Sequence, residues 1–166
     1  MRIDNDLKLN YSDVLIRPKR STLGSRKKVD LTRDFSFRNA LANDQFTRNH
    51  KYYGIPIMAA NMDGVGTIEM AKALHDLGMF TCLVKSYSAE EILEFYKKDK
   101  DYHLSTAVSI GISEKDLEKW NEIYSKSFKV KYVCIDVANG YSERFVEFVK
   151  EFRNRYPGTV IIAGNV

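Results

Sequence analysis

Cysteine is scarce in this chain: two in 166 residues. Cys82 and Cys134 each lie inside an apolar run, which predicts buried thiols in a reducing compartment and argues against a disulfide framework. No Cys-x-x-Cys pair occurs, and His50, His75 and His103 share no metal-ligand spacing, so no metal site is expected. Long apolar runs are missing as well; none approaches the roughly 20 residues that span a bilayer. The opening Met1-Arg-Ile-Asp-Asn-Asp-Leu-Lys8 has no apolar core of the secretory kind. A cytoplasmic protein without membrane contact is the expectation. Neither sign of charge dominates, since 26 basic and 22 acidic residues leave a net +4. The basic residues cluster early, at Arg17, Lys19, Arg20, Arg26, Lys27 and Lys28, with no aromatic residues between them. That argues against a stacking platform for nucleic acid and leaves a solvated segment or a phosphate contact. Gly64 and Gly66 have no third glycine at the offset that a dinucleotide fingerprint needs.

What is present is an ordinary globular composition, 44% hydrophobic and 29% charged, enough for one core. Residues 1–53 read as an arm and loop. Leu15-Ile-Arg-Pro18 marks a turn, Lys28–Leu31 and Phe35–Arg38 suggest a short hairpin, and Asn39–Tyr53 has the polarity of a loop. From Gly54 a repeating pattern sets in. Gly54–Ala60 is a strand, with Pro56 confined to its first residues. Thr67–Leu77 is a helix with Ala71, Leu74 and Leu77 on one face and Gly78 as its stop. Met79–Val84 is the second strand. Ser88-Ala-Glu-Glu91 then opens a helix as a capping box, with Ile92, Phe95 and Tyr96 facing inward. A third strand, Leu104–Ser109, precedes a helix that opens at Ser113 and turns Leu117, Trp120 and Tyr124 inward. A fourth, Val130–Val137, precedes one carrying Phe145, Phe148, Val149 and Phe152 at helical spacing. Thr159–Ala163 is a fifth strand.

Such alternation predicts an α/β fold with a parallel sheet. Two architectures fit: an open five-stranded doubly wound sheet, or the first four and a half units of a TIM (β/α)8 barrel. A barrel normally takes about 250 residues. The fifth strand has no covering helix, and a parallel sheet needs cover on both faces. A single partial domain, residues 54–166 of a barrel behind the arm, is therefore favoured.

In such folds the chemistry sits at the carboxyl ends of the strands. Asp136 ends the fourth strand ahead of an Asn139-Gly140 turn and shares a strand face with Cys134. Its plainer role would be to cap the following helix. Lys85 alternates with Thr81 and Leu83; if Leu83 points into the barrel, Lys85 emerges at its mouth as a point charge for a carboxamide or phosphate. Its plainer role is a snorkelling surface lysine. By the same alternation Cys82 is expected to point toward the helix layer. Cys134 has no base beside it and reads as packed rather than nucleophilic. Asn61 and Asp63 end the first strand with no assigned role.

Six segments carry a resemblance. They are Leu7-Lys-Leu-Asn-Tyr-Ser-Asp-Val-Leu-Ile-Arg-Pro-Lys-Arg-Ser21; Ser25-Arg26 with Val29-Asp-Leu31; Gly54-Ile-Pro-Ile-Met-Ala-Ala-Asn-Met-Asp63 with Val65-Gly-Thr67; Phe80 to Ser88; Ile135-Asp-Val-Ala-Asn-Gly-Tyr-Ser-Glu143; and Ile162-Ala-Gly-Asn-Val166. Together they resemble the GMP reductase branch of the IMP dehydrogenase/GMP reductase family. The short step from Ser88–Lys100 to Leu104 leaves no room for the regulatory modules that IMP dehydrogenases usually insert there. The resemblance implies a TIM barrel, usually a homotetramer, that converts GMP to IMP and ammonia with NADPH. It implies that Lys85, Asp136, Val137 and Ala138 contact NADPH, and that Ser25 and Arg26 reach the cofactor of a neighbouring subunit. It places the reactive cysteine, which attacks the purine C2, beyond Val166, so this stretch alone is expected to be inactive. Neither Cys82 nor Cys134 matches that cysteine. Val84 and Ser86 stand where the family usually has histidines beside the lysine. Two other readings are an NAD-dependent IMP dehydrogenase and a non-catalytic partial barrel that docks on a full-length partner through its exposed sheet edges.

Overall fold

A computed structural model describes residues 6–37, 51–98, 101–127 and 130–166. The chain forms two compact units, Met1–Asp30 and Leu31–Val166. In the first, two single turns of 3-10 helix form where polar residues satisfy free amides. Asn10 caps Tyr11–Asp13, its own amide donating to Asp13 Oδ2 at 2.7 Å. Ser25 Oγ accepts from the Lys27 amide at 3.3 Å and caps Arg26–Lys28. Leu15 and Ile16 stand almost fully exposed within this unit.

The second unit opens with an antiparallel pair, β1 (Arg33–Ser36) and β2 (Lys51–Gly54), in which Phe35 faces Tyr52 and Ser36 faces Lys51. This corrects the expected pairing. Lys28 ends a 3-10 turn, and the partner of Phe35 comes from the end of the segment read as loop. Its last residues, the β-favouring Tyr52 and Tyr53 among them, are strand. The remainder of that loop, and Arg38, lie outside the described residues.

Five parallel strands follow in the order β3-β4-β5-β6-β7. They are β3 (Met58–Ala59), β4 (Phe80–Leu83), β5 (Thr106–Ile110), β6 (Tyr132–Asp136) and β7 (Val160–Gly164), in the registers Met58 to Phe80, Cys82 to Ala107, Ser109 to Cys134 and Asp136 to Gly164. The first of them is shorter than expected because Pro56 has no amide to give a ladder. The Ile55 amide instead donates to the Gly78 carbonyl at 2.7 Å.

Helices α1 (Ile68–Asp76), α2 (Ala89–Lys98), α3 (Glu114–Lys126) and α4 (Glu143–Arg155) alternate with the strands. Thr67, Ser113 and Ser142 cap α1, α3 and α4 through their hydroxyls. At the start of α2 the expected box is formed: Ser88 Oγ accepts from the Glu91 amide at 3.2 Å, and Glu91 Oε2 accepts from the Ser88 amide at 2.8 Å. Gly78, at φ +69°, ends α1 as expected, its amide donating to the His75 carbonyl at 2.9 Å. Leu77 lies past the last helical residue and is exposed rather than inward.

The helices pack on one face of the sheet. Leu83, Val108, Ile110, Val133 and Ile135 meet Ile92, Phe95, Trp120, Ile123, Phe145 and Phe152 there. Trp120 is fully buried against Phe152 and Tyr156, with ring centroids 5.3 and 5.8 Å away. On α3 the deep apolar partner of Trp120 is Ile123, while Tyr124 keeps more than a third of its surface in solvent.

The opposite face carries Phe80, Cys82, Ala107, Tyr132, Cys134 and Val160. Cys82 therefore points away from the helices, against expectation, and Leu83 points into them. The alternation had been anchored on Lys85, but β4 ends at Leu83 and Lys85 lies in the turn beyond. Past a strand's end, period two no longer fixes direction. Tyr52 and Phe37 cover this inner face edge-on, with ring centroids 5.4 Å from Phe80 and 6.1 Å from Tyr132. The second unit is thus a partial, open (β/α) barrel, with a curled five-stranded parallel sheet and, among the described residues, four helices outside it. Among the described residues no helix is long and apolar enough to cross a membrane.

Candidate functional site

Because all five strands run the same way, their carboxyl ends share one rim. The turn after β3 is fixed there by Gly66, whose carbonyl accepts from the Val84 amide at 2.8 Å. Space at Gly66 is tight: a Cβ would lie 2.8 Å from the Ala60 carbonyl oxygen and closer still to that of Cys82. Asn61 and Asp63 lie in this turn.

Lys85 and Asp136 meet on the rim. The Lys85 ammonium sits 3.3 Å from Asp136 Oδ2 and donates to the Asp136 backbone carbonyl at 3.4 Å. Their side chains are 46% and 28% exposed, so the pair is open to a ligand. Asp136 does not cap α4, a role taken by Ser142. Lys85 is not a free surface lysine either. The segment after Asp136 is held down on the end of β7. The Val137 amide donates to the Gly164 carbonyl at 2.9 Å, the Asn165 amide to the Val137 carbonyl at 3.0 Å, and the Gly140 amide to the Asn165 carbonyl at 2.7 Å. Val137 is half-buried and Ala138 exposed.

Sequence reasoning missed Lys119. From α3 it donates to the Lys85 carbonyl at 2.8 Å, so it holds the backbone of the turn that presents Lys85. Burial lowers its pKa, opposed by the nearby Asp116 and Glu91 carboxylates. Asp116 is itself held low: burial would raise it, but hydrogen bonds from Ser113 and the Gly111 amide, with the Lys119 charge, outweigh that. Nothing in a linear pattern marks Lys119, because its contact spans 34 residues.

The two cysteines lie apart from this rim. Cys82 and Cys134 are buried below it and unoxidised. His75 pairs with Ser105 Oγ at 2.7 Å and packs edge-on against Tyr102. His103 lies in a 3-10 turn, and His50 is outside the described residues. Ser25 and Arg26 belong to the first unit, where both are exposed.

Parallel β/α units in this order, with a cation–carboxylate pair at their carboxyl rim, make the chain part of a TIM-barrel fold. Residues 8–166 match the family model for the IMP dehydrogenase / GMP reductase domain. The chain belongs to that family. It is 53% identical over 164 residues to GMP reductase 2 of Bos taurus, covering 99% of this chain and 45% of that protein. It is 52% identical over 164 residues to GMP reductase 2 of Homo sapiens, with the same two coverages. It is 50% identical over 167 residues to GMP reductase of Klebsiella pneumoniae, covering all of this chain and 46% of the relative. Among solved structures, inosine 5' monophosphate dehydrogenase from Legionella pneumophila superposes with a TM-score of 0.72 at 27% identity, covering 93% of this chain and 43% of that one. The chain thus spans about half the length of the relatives it matches.

Proposed function

We propose that this chain is the first half of an NADPH-dependent GMP reductase, which converts GMP to IMP and ammonia. The observation that carries the reading is the level of identity, 50–53% to GMP reductases across essentially the whole chain. The short link from Lys98 to Thr106, which holds one 3-10 turn, supports the reductase over the dehydrogenase branch.

The residues at the rim fit a nicotinamide. When bound, NADPH supplies a hydride. Lys85 has three N–H donors; its two contacts with Asp136 are long, which leaves a donor for a carboxamide oxygen. Beside Lys85, the Asp136 carboxylate would stabilise the positive charge that a nicotinamide ring gains on losing hydride. Val137 and Ala138 offer an anchored backbone beside it. Arg26 suits the extra phosphate of NADPH because its guanidinium fork binds oxyanions in pairs. Ser25 and Arg26 act on the cofactor of a neighbouring subunit, so the functional form is a homo-oligomer, the tetramer that the family resemblance implies, and the protein works in the cytoplasm. Neither Cys82 nor Cys134, both buried, matches the purine-attacking cysteine that the family resemblance implies.

The test is steady-state kinetics on the full-length natural protein. GMP should drive NADPH oxidation, and IMP should not drive NAD reduction at a comparable rate. The reverse pattern would move the protein to the dehydrogenase branch.

A further inference from the structure

Lys85 lies beyond the last residue of β4, so strand alternation does not aim its side chain. The turn that carries it is tied down on both sides. Before it, the Val84 amide donates to the Gly66 carbonyl at 2.8 Å. After it, the Tyr87 hydroxyl accepts from the Ile68 amide at the start of α1 at 3.1 Å. The Ser88 amide donates to Glu91 Oε2 at 2.8 Å. At Lys85 itself, the carbonyl accepts from the Lys119 ammonium at 2.8 Å. Among the described residues no backbone amide donates to that carbonyl. The peptide plane after Lys85 therefore rests on a side chain from another element. Water could satisfy an exposed carbonyl equally well, so what this bond adds is direction.

Lys119 is built to hold that direction. It stands on α3 next to Trp120, and both Trp120 and Ile123 are fully buried. Those anchors fix the rotation of the helix about its axis. The helix start is fixed by a capping box, with the Asp116 amide donating to Ser113 Oγ at 3.2 Å and the Ser113 amide donating to Asp116 Oδ2 at 3.1 Å. Lys119 is half-buried, so its stem lies along protein and only its tip is left to order. A contact made from a packed helix places its target more firmly than one made from a loop. The Lys85 ammonium, by contrast, meets Asp136 only through long contacts of 3.3 and 3.4 Å. Those leave the head group free to swing once the backbone behind it is released.

We infer that Lys119 is a positioning residue for NADPH: by holding the Lys85 carbonyl, it sets the direction in which the Lys85 ammonium is offered to the cofactor. The inference rests on the reading of Lys85 as a cofactor contact. Lys119 acts through Lys85 and is assigned no contact of its own with NADPH.

The experiment measures NADPH affinity directly, from the change in nicotinamide fluorescence on binding. It uses the full-length natural protein and its Lys119→Met, Lys85→Met and doubly substituted variants. Lys119→Met keeps the length and helix preference of the side chain and removes the donor. It should raise Kd roughly tenfold, a loss of about 1.4 kcal/mol. In the Lys85→Met background the same substitution should change Kd by less than about twofold, because the group it positions is gone. Amide hydrogen exchange at Ser86 and Tyr87 should also quicken in Lys119→Met. An unchanged Kd in Lys119→Met, or an equal rise in both backgrounds, would overturn the inference and leave the Lys85 contact standing. So would unaltered exchange at Ser86 and Tyr87. An unchanged Kd in Lys85→Met would remove the Lys85 reading and this inference with it.

Discussion

Replacing Lys85 by methionine separates a structural from a functional role for the rim pair. The substitution keeps most of the stem and removes the charge. At 3.3 Å the Coulomb attraction between Lys85 and Asp136 is worth about 1 kcal/mol at the dielectric of water. Pairs as exposed as this one contribute roughly 0.2–1 kcal/mol to stability. For a barrel-sized domain that shifts Tm by less than about 4 °C. A charge-assisted hydrogen bond to a ligand is worth about 1.5–3 kcal/mol, so its loss should raise KM for NADPH by roughly 10- to 150-fold. Thermal melts and NADPH titrations of the full-length natural protein and its Lys85→Met variant read both quantities. A Tm lowered by more than about 10 °C with an unchanged KM for NADPH would refute the reasoning, because Lys85 would then hold the fold rather than the cofactor.

Three further predictions concern the fold. Trp120→Ala empties a fully buried site between α3 and α4 and should cost about 3–5 kcal/mol in urea unfolding; a loss below about 1 kcal/mol would mean that this packing adds little. Gly66→Ala drives a methyl group into the Ala60 and Cys82 carbonyls and should cost about 1–3 kcal/mol; an unchanged denaturation midpoint would show that the turn yields freely. Ser113→Ala removes the hydroxyl that accepts from the Asp116 amide and should cost about 1 kcal/mol. The folded Asp116 carboxyl lies below its ordinary value. Its contribution is therefore complete above the unfolded pKa and is lost as pH falls through the folded one, between about pH 5 and pH 2. Stability measured down that range should fall less steeply for Ser113→Ala than for the wild type, and parallel curves would contradict the assignment.

The order of strands and helices was legible because each carries its own period, and caps such as Ser88 with Glu91 are local signals. So was the buried face of α2, where Ile92, Phe95 and Tyr96 are all inside. What failed depended on contacts far apart in the chain or on where a strand stops. Phe35 pairs with Tyr52 across a long segment without periodicity. The direction of Cys82 was inferred from Lys85, which no longer obeys strand alternation. The candidate rim was half visible: Asp136 and Lys85 were each marked by position, and their 3.3 Å contact joins them across 51 residues. Lys119 was invisible, as a lysine on an amphipathic helix looks like any solvated charge.

The central claim is a reductive deamination, and its most direct measure is the product balance. The full-length natural protein, given GMP and NADPH, should release one ammonium ion and one IMP for each NADPH oxidised. NADPH consumed without ammonia, or ammonia released without NADPH oxidation, would contradict the account.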